Sequence, residues 1–543
     1  MARMTGAEIV ANTLKTAGVH HVFGIVSIHN MPIVDAITRT NGINMVTCRN
    51  EQSATHMADG YARATGHLGV ALASTGPGTT NVVTGLYESA YASSRTLVIT
   101  GQAETTFYGK GKGYVHEAEN QKAMLSTVAS HVASPRYIEE VATQLKDLIR
   151  DICSGRPQPG AMEIPINLQY AETESGDLSV DLPAPFAADT ESLEQAIAAI
   201  SGSRKRVILA GGGIGKSGAS EALSALAEKL DAPVITTPNG KGALRDDHPL
   251  LMGPLLLSRP ILKAVQDADL MIAVGTRFQA GVAGGQVAMP MPKMVHIDVD
   301  PRHINLNYRP EVGVVGDAKL VLDAITEADL DTGDAQYKEQ LLALAGESKA
   351  GMRDRLGPDQ AGILDVFSKY MDRDAYFVRD NTLPGYHWGN GLLPIFKAGG
   401  YIFPTSGAIG PGLPLGIGVA IATGVKTFCM HGDGGFMFHV GELSTAAQYQ
   451  APVVIVVFND GGYGVLRGLQ VNQFDGRFSE TDLSTPDFVK LAESMGLTGL
   501  HADTVDGFSE QIEKAMGIDG PVLIELNVRN MQPITGVVPP PKD

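Results

Sequence analysis

The sequence predicts an α/β fold of three doubly wound parallel-sheet domains. Short runs of apolar and β-branched residues alternate along the chain with segments of helical periodicity, which is the pattern of repeated strand–helix units. Most runs are apolar throughout, so both faces of each strand should be covered, as in a parallel sheet with helices on either side. The 543 residues also exceed what one compact core can hold.

Each third of the chain supplies candidate strands. The first third contains "HHVFGIV", "INMVTCR", "GVALAST", "RTLVITG" and "AMEIPIN". The middle third contains "RVILAGG", "APVITTP", "LMIAVGT", "MVHIDVD" and "VGVVGDA", and the last contains "AYFVRDN", "GGYIFPT", "KTFCMHG", "PVVIVVF" and "PVLIELNV". The stretches "DLPAPFAADTES" and "LAGESKAGMRDRLGPDQAG" separate the thirds. We therefore place the domains at residues 1–180, 185–345 and 355–543.

Composition and charge argue against several partner classes. The chain has 42 Lys and Arg against 59 Asp and Glu, a net charge of −17, and no basic cluster, so we expect neither nucleic acid nor a membrane as partner. The longest apolar stretch, "LPLGIGVAIATGV", is shorter than the roughly 18 residues that a spanning helix needs. Cys48, Cys153 and Cys429 form no CxxC pair, and the N-terminus lacks signal-peptide features. We expect a cytoplasmic protein.

The clearest chemical signal is a pair of motifs that follow two apolar strands. "GDGG" occupies residues 432–435 and "NDGG" residues 459–462, which places Asp433 and Asp460 27 residues apart. Because ligands bind at the carboxyl ends of parallel strands, these carboxylates should converge, and a cation such as Mg²⁺ or Ca²⁺ would relieve their repulsion. The glycines would let backbone amides approach an anion such as a diphosphate. Either motif alone could be an ordinary turn.

The spaced pair resembles the thiamine diphosphate motif, and the resemblance extends over nearly the whole chain. "CRNEQSATHMADGYARATGHLGVALASTGPGTTN" is similar to the pyrimidine-binding domain of the superfamily that contains acetolactate synthase and benzoylformate decarboxylase. "HIDVDPRHINLNYRPEVGVVGDAK" is similar to the end of its central domain, and "SGAIGPGLPLGIGVAIA" to a segment of its diphosphate-binding domain. The resemblance implies an enzyme that uses thiamine diphosphate and Mg²⁺ to break or make a C–C bond beside the carbonyl of a 2-oxo acid.

The resemblance also implies roles for individual residues. Glu51 would share a proton with the aminopyrimidine ring of the cofactor, and the bulky Ile409 would wedge the cofactor into a bent shape. Asp433, Asp460 and the Gly462 carbonyl would bind the metal, although the family usually has Asn where this chain has Asp460. The further implied cofactor contacts are Gly76, Asn81, Thr382, Leu383, Gly407, Gly434, Gly435, Asn459, Tyr463 and Gly464.

Substrate choice is left open at this point. Ile28, His29, His116 and Glu117 match positions that face the substrate, and a histidine there can shuttle protons near neutral pH. Each histidine could equally be a structural residue. An acceptor carbonyl would make the protein a carboligase, and a proton would make it a simple decarboxylase. The segment around Ile28 also resembles 2-hydroxyacyl-CoA lyases and oxalyl-CoA decarboxylases, but no basic cluster is evident for the CoA phosphates.

The remaining expectations concern FAD, alternative functions and assembly. FAD is doubtful, because "GTRFQAGVAGG" lacks the acidic pair and second Arg of FAD-containing acetolactate synthases. The Gly213-x-Gly215-x-x-Gly218 pattern makes a nucleotide-binding protein a weak alternative, since no acidic residue ends the next strand. A non-catalytic member is a second alternative, against which Glu51 and Asp433 argue. The resemblance implies a homodimer or homotetramer with sites at the subunit interface.

Overall fold

Three parallel sheets of six strands each form the scaffold, which confirms the predicted fold class. The structure is a computed structural model that describes residues 2–279 and 289–538. Most central strands are buried along their whole length, as the continuous apolar runs predict.

The first part of the chain folds around one sheet and a small ribbon. Its strands are β1 (Ala2–Thr5), β2 (His21–Gly24), β3 (Asn44–Thr47), β4 (Gly69–Ala73), β5 (Thr96–Gln102), β6 (His131–Ala133), β7 (Gly160–Pro165) and β8 (Glu172–Ser175). Its helices are α1 (Gly6–Thr16), α2 (Met31–Arg39), α3 (Glu51–Thr65), α4 (Pro77–Ala92), α5 (Gln121–Ser126), α6 (Ile138–Cys153) and α7 (Ile166–Tyr170). The sheet has the order β3-β2-β4-β5-β7-β6, and β1 pairs antiparallel with β8.

The middle part repeats the strand–helix pattern. Its strands are β9 (Arg206–Ala210), β10 (Val234–Thr236), β11 (Leu251–Gly253), β12 (Leu270–Val274), β13 (Met294–Asp298) and β14 (Val312–Val315). Its helices are α8 (Thr190–Ser201), α9 (Gly213–Ser217), α10 (Ser220–Leu230), α11 (Arg259–Gln266) and α12 (Ala318–Glu327), with 3₁₀ turns at Pro238–Gly240 and Pro301–His303. The sheet order is β11-β10-β9-β12-β13-β14.

The last part begins with the long helix α13 (Ala335–Ser368). Its strands are β15 (Tyr376–Arg379), β16 (Tyr401–Ile402), β17 (Thr427–Gly432), β18 (Val453–Asn459), β19 (Thr498–Ala502) and β20 (Val522–Asn527). The other helices are α14 (Gly412–Thr423), α15 (Asp433–Phe436), α16 (Leu443–Gln448), α17 (Gly464–Gln473), α18 (Phe488–Ser494) and α19 (Val505–Met516), with a π-helical turn at Gly385–Gly389 and a 3₁₀ segment at Met437–Glu442. The sheet order is β16-β15-β17-β18-β20-β19.

Sequence patterning predicts five of the six strands in each large sheet and misses both strands of the β1–β8 ribbon. The strands missed in the large sheets are β6, β11 and β19, and each lies at a sheet edge. All of β6 and most of β19 are at least partly exposed. An edge strand has one neighbour and borders solvent, so it does not need the continuous apolar run that marks a central strand.

The boundary between the second and third sheets falls within α13. Gly357 interrupts this helix with φ of +71°, and Pro358 follows it. Ala345, before the break, packs with the core of the second sheet, whereas Ile363, after it, packs with the core of the third. The proposed domain limits at 345 and 355 stay a prediction.

Residues of the dinucleotide-like pattern Gly213-x-Gly215-x-x-Gly218 contact the first and last parts of the chain. Part of it forms the short helix α9. Lys216 Nζ donates a hydrogen bond of 2.7 Å to the Ala92 carbonyl at the end of α4. A Cβ atom on Gly215 would lie 2.9 Å from the Cβ atom of Ala398, close to the third sheet.

Along the part of the chain that the structure describes, no helix is long and apolar enough to cross a membrane.

Helices α3 and α14 join the first and third sheets. At Gly60, a Cβ atom would collide with the Leu415 carbonyl, and at Gly418 it would collide with the Met57 carbonyl. The two backbones therefore approach each other more closely than side chains would allow. Met57 and Leu415 belong to a single apolar core.

We expect Gly418→Ala to destabilise the protein by about 1–3 kcal/mol, because the added methyl group overpacks the α3–α14 contact. The matched control is Gly346→Ala on the exposed face of α13, where a Cβ atom meets nothing within 4 Å. The control should keep or slightly raise stability, since alanine favours a helix more than glycine does. Urea unfolding of both variants measures the difference, and equal midpoints would contradict the tight crossing.

Candidate functional site

The predicted site residues follow the carboxyl ends of strands at two switch points. In the first sheet the chain order reverses between β2 and β4, and in the third sheet it reverses between β15 and β17. Open α/β sheets form ligand crevices at such points, because the loops on either side diverge. We name the residues at the first point (Ile28, His29, Glu51, Gly76, Asn81, His116) the first-sheet cluster. We name those at the second (Thr382, Leu383, Asp433, Gly434, Asp460, Gly462, Tyr463, Gly464) the third-sheet cluster.

Glu51 is the first residue of α3, and a neighbouring helix holds its carboxylate. The Asn50 side chain caps the helix by accepting a hydrogen bond from the Gln52 amide. Asn81 of α4 donates from Nδ2 to Glu51 Oε2 over 2.9 Å. The other carboxylate oxygen lies against Gly78, where a Cβ atom would stand 3.1 Å away. The structure thus brings together Glu51 and Asn81, which are 30 residues apart in the sequence.

Gly76 lies where the loop after β4 meets the loop that carries His116. Its φ is +57°, and a Cβ atom there would collide with the His116 carbonyl, so a larger residue would push the loops apart. The Gln121 side chain fastens this contact, because its Oε1 accepts hydrogen bonds from the Gly76 amide at 3.0 Å and from Thr75 Oγ1 at 2.8 Å.

A buried carboxylate fixes the orientation of Gln121. Glu163 is fully buried and accepts hydrogen bonds from Gln121 Nε2 at 3.2 Å, from Gln102 Nε2 at 3.1 Å and from Ser134 Oγ at 2.7 Å. The Tyr108 hydroxyl also donates to Glu163, and burial raises the pKa of Tyr108 to about 12. Since a carboxylate only accepts, Gln121 must turn its NH₂ group toward Glu163 and its oxygen toward Gly76.

His29 and His116 form a pair next to this loop. Their ring centroids lie 5.2 Å apart, and His29 is buried whereas His116 is exposed. His29 Nδ1 has no hydrogen-bond partner among the described residues. Burial, and secondarily the nearby His116, lowers the pKa of His29. A buried neutral imidazole beside an exposed one is suited to passing a proton from solvent to an enclosed atom.

Ile28 and Glu117 occupy different settings. Ile28 is 61% exposed on the loop after β2. Glu117 Oε1 accepts a 2.9 Å hydrogen bond from the Gly109 amide, so its carboxylate closes the loop between them. A substrate role for Glu117 stays a prediction, and the loop contact gives it a structural task.

Asp433 and Asp460 converge in the third-sheet cluster. Asp433 is fully buried, and neither of its carboxylate oxygens has a hydrogen-bond partner among the described residues. Burial raises the pKa of Asp433 to about 8, and the neighbouring Asp460 carboxylate adds to the shift. Burial also raises the pKa of Asp460. A buried, unpartnered carboxylate beside a second one is costly unless a cation binds.

Arg467 balances part of this charge. It is 3% exposed, its Nη1 lies 3.7 Å from Asp460 Oδ2, and its Nη2 donates to the Gly461 carbonyl at 2.7 Å. Its Nε donates to Asp482 Oδ1 at 2.8 Å. The negative charge of Asp460 therefore faces a buried guanidinium.

The glycines of this cluster bring chain segments close together. A Cβ atom on Gly434 would lie 2.6 Å from the Tyr463 ring, and one on Gly464 would collide with Asp460 Oδ2 and lie 3.0 Å from Leu383 Cδ1. The Tyr463 amide donates to the Thr481 carbonyl at 2.8 Å. These contacts join the turns after β17 and β18 to the loop after β15.

The other predicted residues border the same crevice. Thr382 is buried and accepts a 3.1 Å hydrogen bond from the Gly385 amide. Asn459 Nδ2 donates to Glu525 Oε1 at 2.7 Å, which supports the turn. Gly407 is exposed and Ile409 is half-buried in the loop before α14. Gly435 approaches Asp380, whose Oδ1 would be 3.1 Å from a Cβ atom there.

No hydrogen bond or ion pair found within residues 2–279 and 289–538 joins the first-sheet cluster to the third-sheet cluster. No group of three or more His, Cys, Asp and Glu side chains suitable for a metal occurs in these ranges either. A cation at Asp433 and Asp460 would therefore take its remaining ligands from carbonyls, water or a bound phosphate, as Mg²⁺ usually does. The unpartnered carboxylate of Asp433 fits such an ion.

Sequence reasoning missed Gln121, Glu163 and Asp380. Asp380 directly follows an apolar strand, which is the same signal that identified Asp433, so it could have been found. Gln121 lies in a helix of ordinary composition, and no local signal marks it.

Residues 280–285, which include much of the segment on which the FAD prediction depends, lie outside the described residues.

Comparison with known protein families gives matches along most of the chain. Residues 4–124 match the thiamine pyrophosphate enzyme N-terminal TPP binding domain. Residues 193–325 match the thiamine pyrophosphate enzyme central domain, and residues 386–526 match the C-terminal TPP binding domain. The two TPP binding matches contain the first-sheet cluster and most of the third-sheet cluster.

Similar full-length proteins fall into two groups by name. The chain is 31% identical to a probable acetolactate synthase large subunit from Methanocaldococcus jannaschii, over 99% of this chain and 94% of that protein. It is 31% identical to the acetolactate synthase isozyme 2 large subunit of Escherichia coli, over 99% and 98%. It is also 31% identical to a probable 2-ketoarginine decarboxylase of Pseudomonas aeruginosa, over 96% and 94%.

The buried carboxylate pair predicts how stability depends on pH. The folded chain keeps a proton on Asp433 up to about pH 8, whereas an unfolded chain releases it near pH 4. The contribution of Asp433 to stability is therefore lost as pH rises from about 4 through about 8. With divalent cations removed, the melting temperature of Asp433→Asn should fall less than that of the wild type as the pH rises from 5 to 8.5. Addition of 10 mM Mg²⁺ should raise only the melting temperature of the wild type.

Asp482→Asn is the matched control for this experiment. Asp482 binds the same Arg467, but its side chain is 66% exposed. The control should follow the wild-type dependence on pH and on Mg²⁺. If Asp433→Asn also followed it, Asp433 would not be the titrating group.

Proposed function

This chain belongs to the superfamily of thiamine diphosphate-dependent, acetolactate synthase-like enzymes, and we propose that it uses Mg²⁺ and thiamine diphosphate to break or make a C–C bond beside the carbonyl of a 2-oxo acid. The observation that carries the proposal is the buried pair Asp433 and Asp460, whose geometry suits a cation bound to a diphosphate. The Glu51–Asn81 hydrogen bond supports the same cofactor at its other end.

The residues of the third-sheet cluster would hold the diphosphate end. Asp433 and Asp460 would bind the ion, with the Gly462 carbonyl as a further ligand, and Arg467 would limit the local negative charge. The glycines of the turns would admit the phosphate oxygens to backbone amides. This arrangement anchors the cofactor by charge and leaves its reactive ring to be positioned by other residues.

Glu51 would hold and move the proton that starts the chemistry. Asn81 donates to Glu51 Oε2 and thereby fixes the carboxylate, so a proton can be shared between it and a ring nitrogen of the aminopyrimidine. When bound, thiamine diphosphate supplies a ring that adds to the substrate carbonyl and accepts the electron pair released when the adjacent C–C bond breaks. His29 and His116 would exchange protons with the substrate.

Two reactions share this first stage. The acetolactate synthase relatives support carboligation, in which a second carbonyl compound takes up the acyl carbon. The His29–His116 pair and the 2-ketoarginine decarboxylase relative favour simple decarboxylation as the second candidate, because an enclosed histidine can deliver the required proton. We place carboligation first.

We further propose a cytoplasmic homodimer or homotetramer. The first-sheet and third-sheet clusters each supply half of the contacts expected of a complete site, and apolar side chains stand exposed beside both. Ile28 is 61% exposed beside the first, and Phe438 and Leu466 are 56% and 47% exposed beside the second. A partner subunit would cover these surfaces. Sedimentation that yields a monomer with full activity would contradict this assembly.

The reaction is tested by product analysis. Purified protein with thiamine diphosphate and Mg²⁺ is incubated with a panel of 2-oxo acids, with and without an added aldehyde. Acetohydroxy acid or acyloin products are the expected result. Aldehyde alone would support the decarboxylase candidate, and turnover only of CoA thioesters would overturn both.

We expect Glu51→Gln to lower kcat by at least about 100-fold, because the amide cannot exchange the proton that the carboxylate does. The affinity for thiamine diphosphate, measured by calorimetry, should change little, since the diphosphate end is held elsewhere. Glu139→Gln makes the same change in the first turn of another helix and should keep wild-type activity. Near-normal turnover of Glu51→Gln would disprove the role of Glu51.

A further inference from the structure

The loop that carries Ile409 is held by the residues that follow β15. Ile409 lies between two peptide units, one with the Ala408 carbonyl and one with the Gly410 amide. Asn381 Nδ2 donates to the Ala408 carbonyl at 2.6 Å. The Gly410 amide donates to Asp380 Oδ1 at 3.0 Å and to Oδ2 at 2.9 Å. Two consecutive side chains therefore hold both peptide units that flank Ile409.

Asp380 leaves this loop little freedom. Its side chain is fully buried, and it also accepts hydrogen bonds from the Gly412 amide at 2.8 Å and from the Asn381 amide at 2.8 Å. A buried carboxylate needs these donors, so a shift of residues 410–412 would leave Asp380 with only the Asn381 amide among the donors named here. The Gly412 amide is also the start of α14, which anchors the loop to a rigid helix.

Asn381 is fixed in one orientation by Arg379. Arg379 is 1% exposed, and its Nη1 donates to Asn381 Oδ1 at 2.9 Å. Its Nη2 donates to Asn390 Oδ1 at 2.9 Å. Because Arg379 only donates, Asn381 must present its oxygen to Arg379 and its NH₂ group to the Ala408 carbonyl.

Residues of other segments also contact the loop that carries Ile409. The Thr405 and Ser406 amides donate to the buried Glu88 carboxylate at 2.6 and 2.9 Å. Gly410 has φ of +102°, and a Cβ atom there would lie 2.7 Å from Phe438 Cβ. The loop is thus held before, at and after Ile409, which is more than a surface connection requires.

We propose that Asp380 and Asn381 are positioning residues that hold the Ile409 backbone where its side chain bends the bound cofactor. The inference deepens the proposed function and rests on it. Neither side chain needs to touch thiamine diphosphate, since each acts through the backbone next to Ile409. Misplacing a positioning group by about 1 Å can cost about 100-fold in rate.

The test substitutes Asn381→Asp. The carboxylate keeps the partner Arg379 and gains an ion pair, so the fold is preserved, but it can no longer donate to the Ala408 carbonyl. The first readout needs no cofactor: amide hydrogen exchange by mass spectrometry should be at least about tenfold faster in residues 405–410 than in the wild type.

The second readout needs no substrate. Deuterium exchange at the thiazolium C2 of bound thiamine diphosphate should slow by about tenfold to 100-fold, whereas the dissociation constant of the cofactor should stay within about threefold. Asn381→Ala removes the donor without adding charge and should give the same result as Asn381→Asp in both readouts. It replaces the aspartate variant if that variant does not fold.

Asn390→Asp is the matched control, because Asn390 also accepts from Arg379, and its hydrogen bonds within the described residues do not reach the Ile409 loop. It should match the wild type in both readouts. Wild-type behaviour of Asn381→Asp, or an equal loss in Asn390→Asp, would overturn the positioning role alone. A wild-type protein that binds no thiamine diphosphate would overturn the proposed function and this inference with it.

Discussion

The contact between α3 and α14 is the constraint on which the arrangement of the site depends. Glu51 is the first residue of α3, and the Ile409 loop ends where α14 begins, so the crossing of these helices sets both positions at once. Gly60 and Gly418 permit the close approach. Because the helices share one apolar core with both sheets, the first and third sheets behave as a joined scaffold, and the loops at their carboxyl edges can vary without moving the frame.

Buried charge is the second organising feature. Glu163 and Asp380 are carboxylates without solvent contact, and each accepts hydrogen bonds from several separate segments of the chain. Each buried carboxylate therefore holds these segments together. Asp433 is the exception, because it is equally buried but has no protein partner among the described residues. This contrast separates the carboxylate that awaits a ligand from those that shape the loops.

Much of the fold could be predicted because central strands of parallel sheets need continuous apolar runs, and such runs are visible in a single sequence. The edge strand β6 escapes prediction because it has no such run. At the site, Asp433 and Asp460 could be found because each follows an apolar strand. The Gln121–Gly76 contact could not, because it joins residues 45 positions apart through side-chain geometry that no local pattern records. Likewise, the task of Glu117 in closing its loop emerges only from the folded backbone.

The unpaired carboxylate of Asp433 also bears on the life of the protein in a cell. Under the proposed function, a chain without the cation carries a buried charge or a retained proton at Asp433, and any ligand that binds only the folded state raises the folded fraction by mass action. Scarcity of the proposed cofactor would then reduce not only turnover but also the number of intact molecules, since proteases remove chains that open more often.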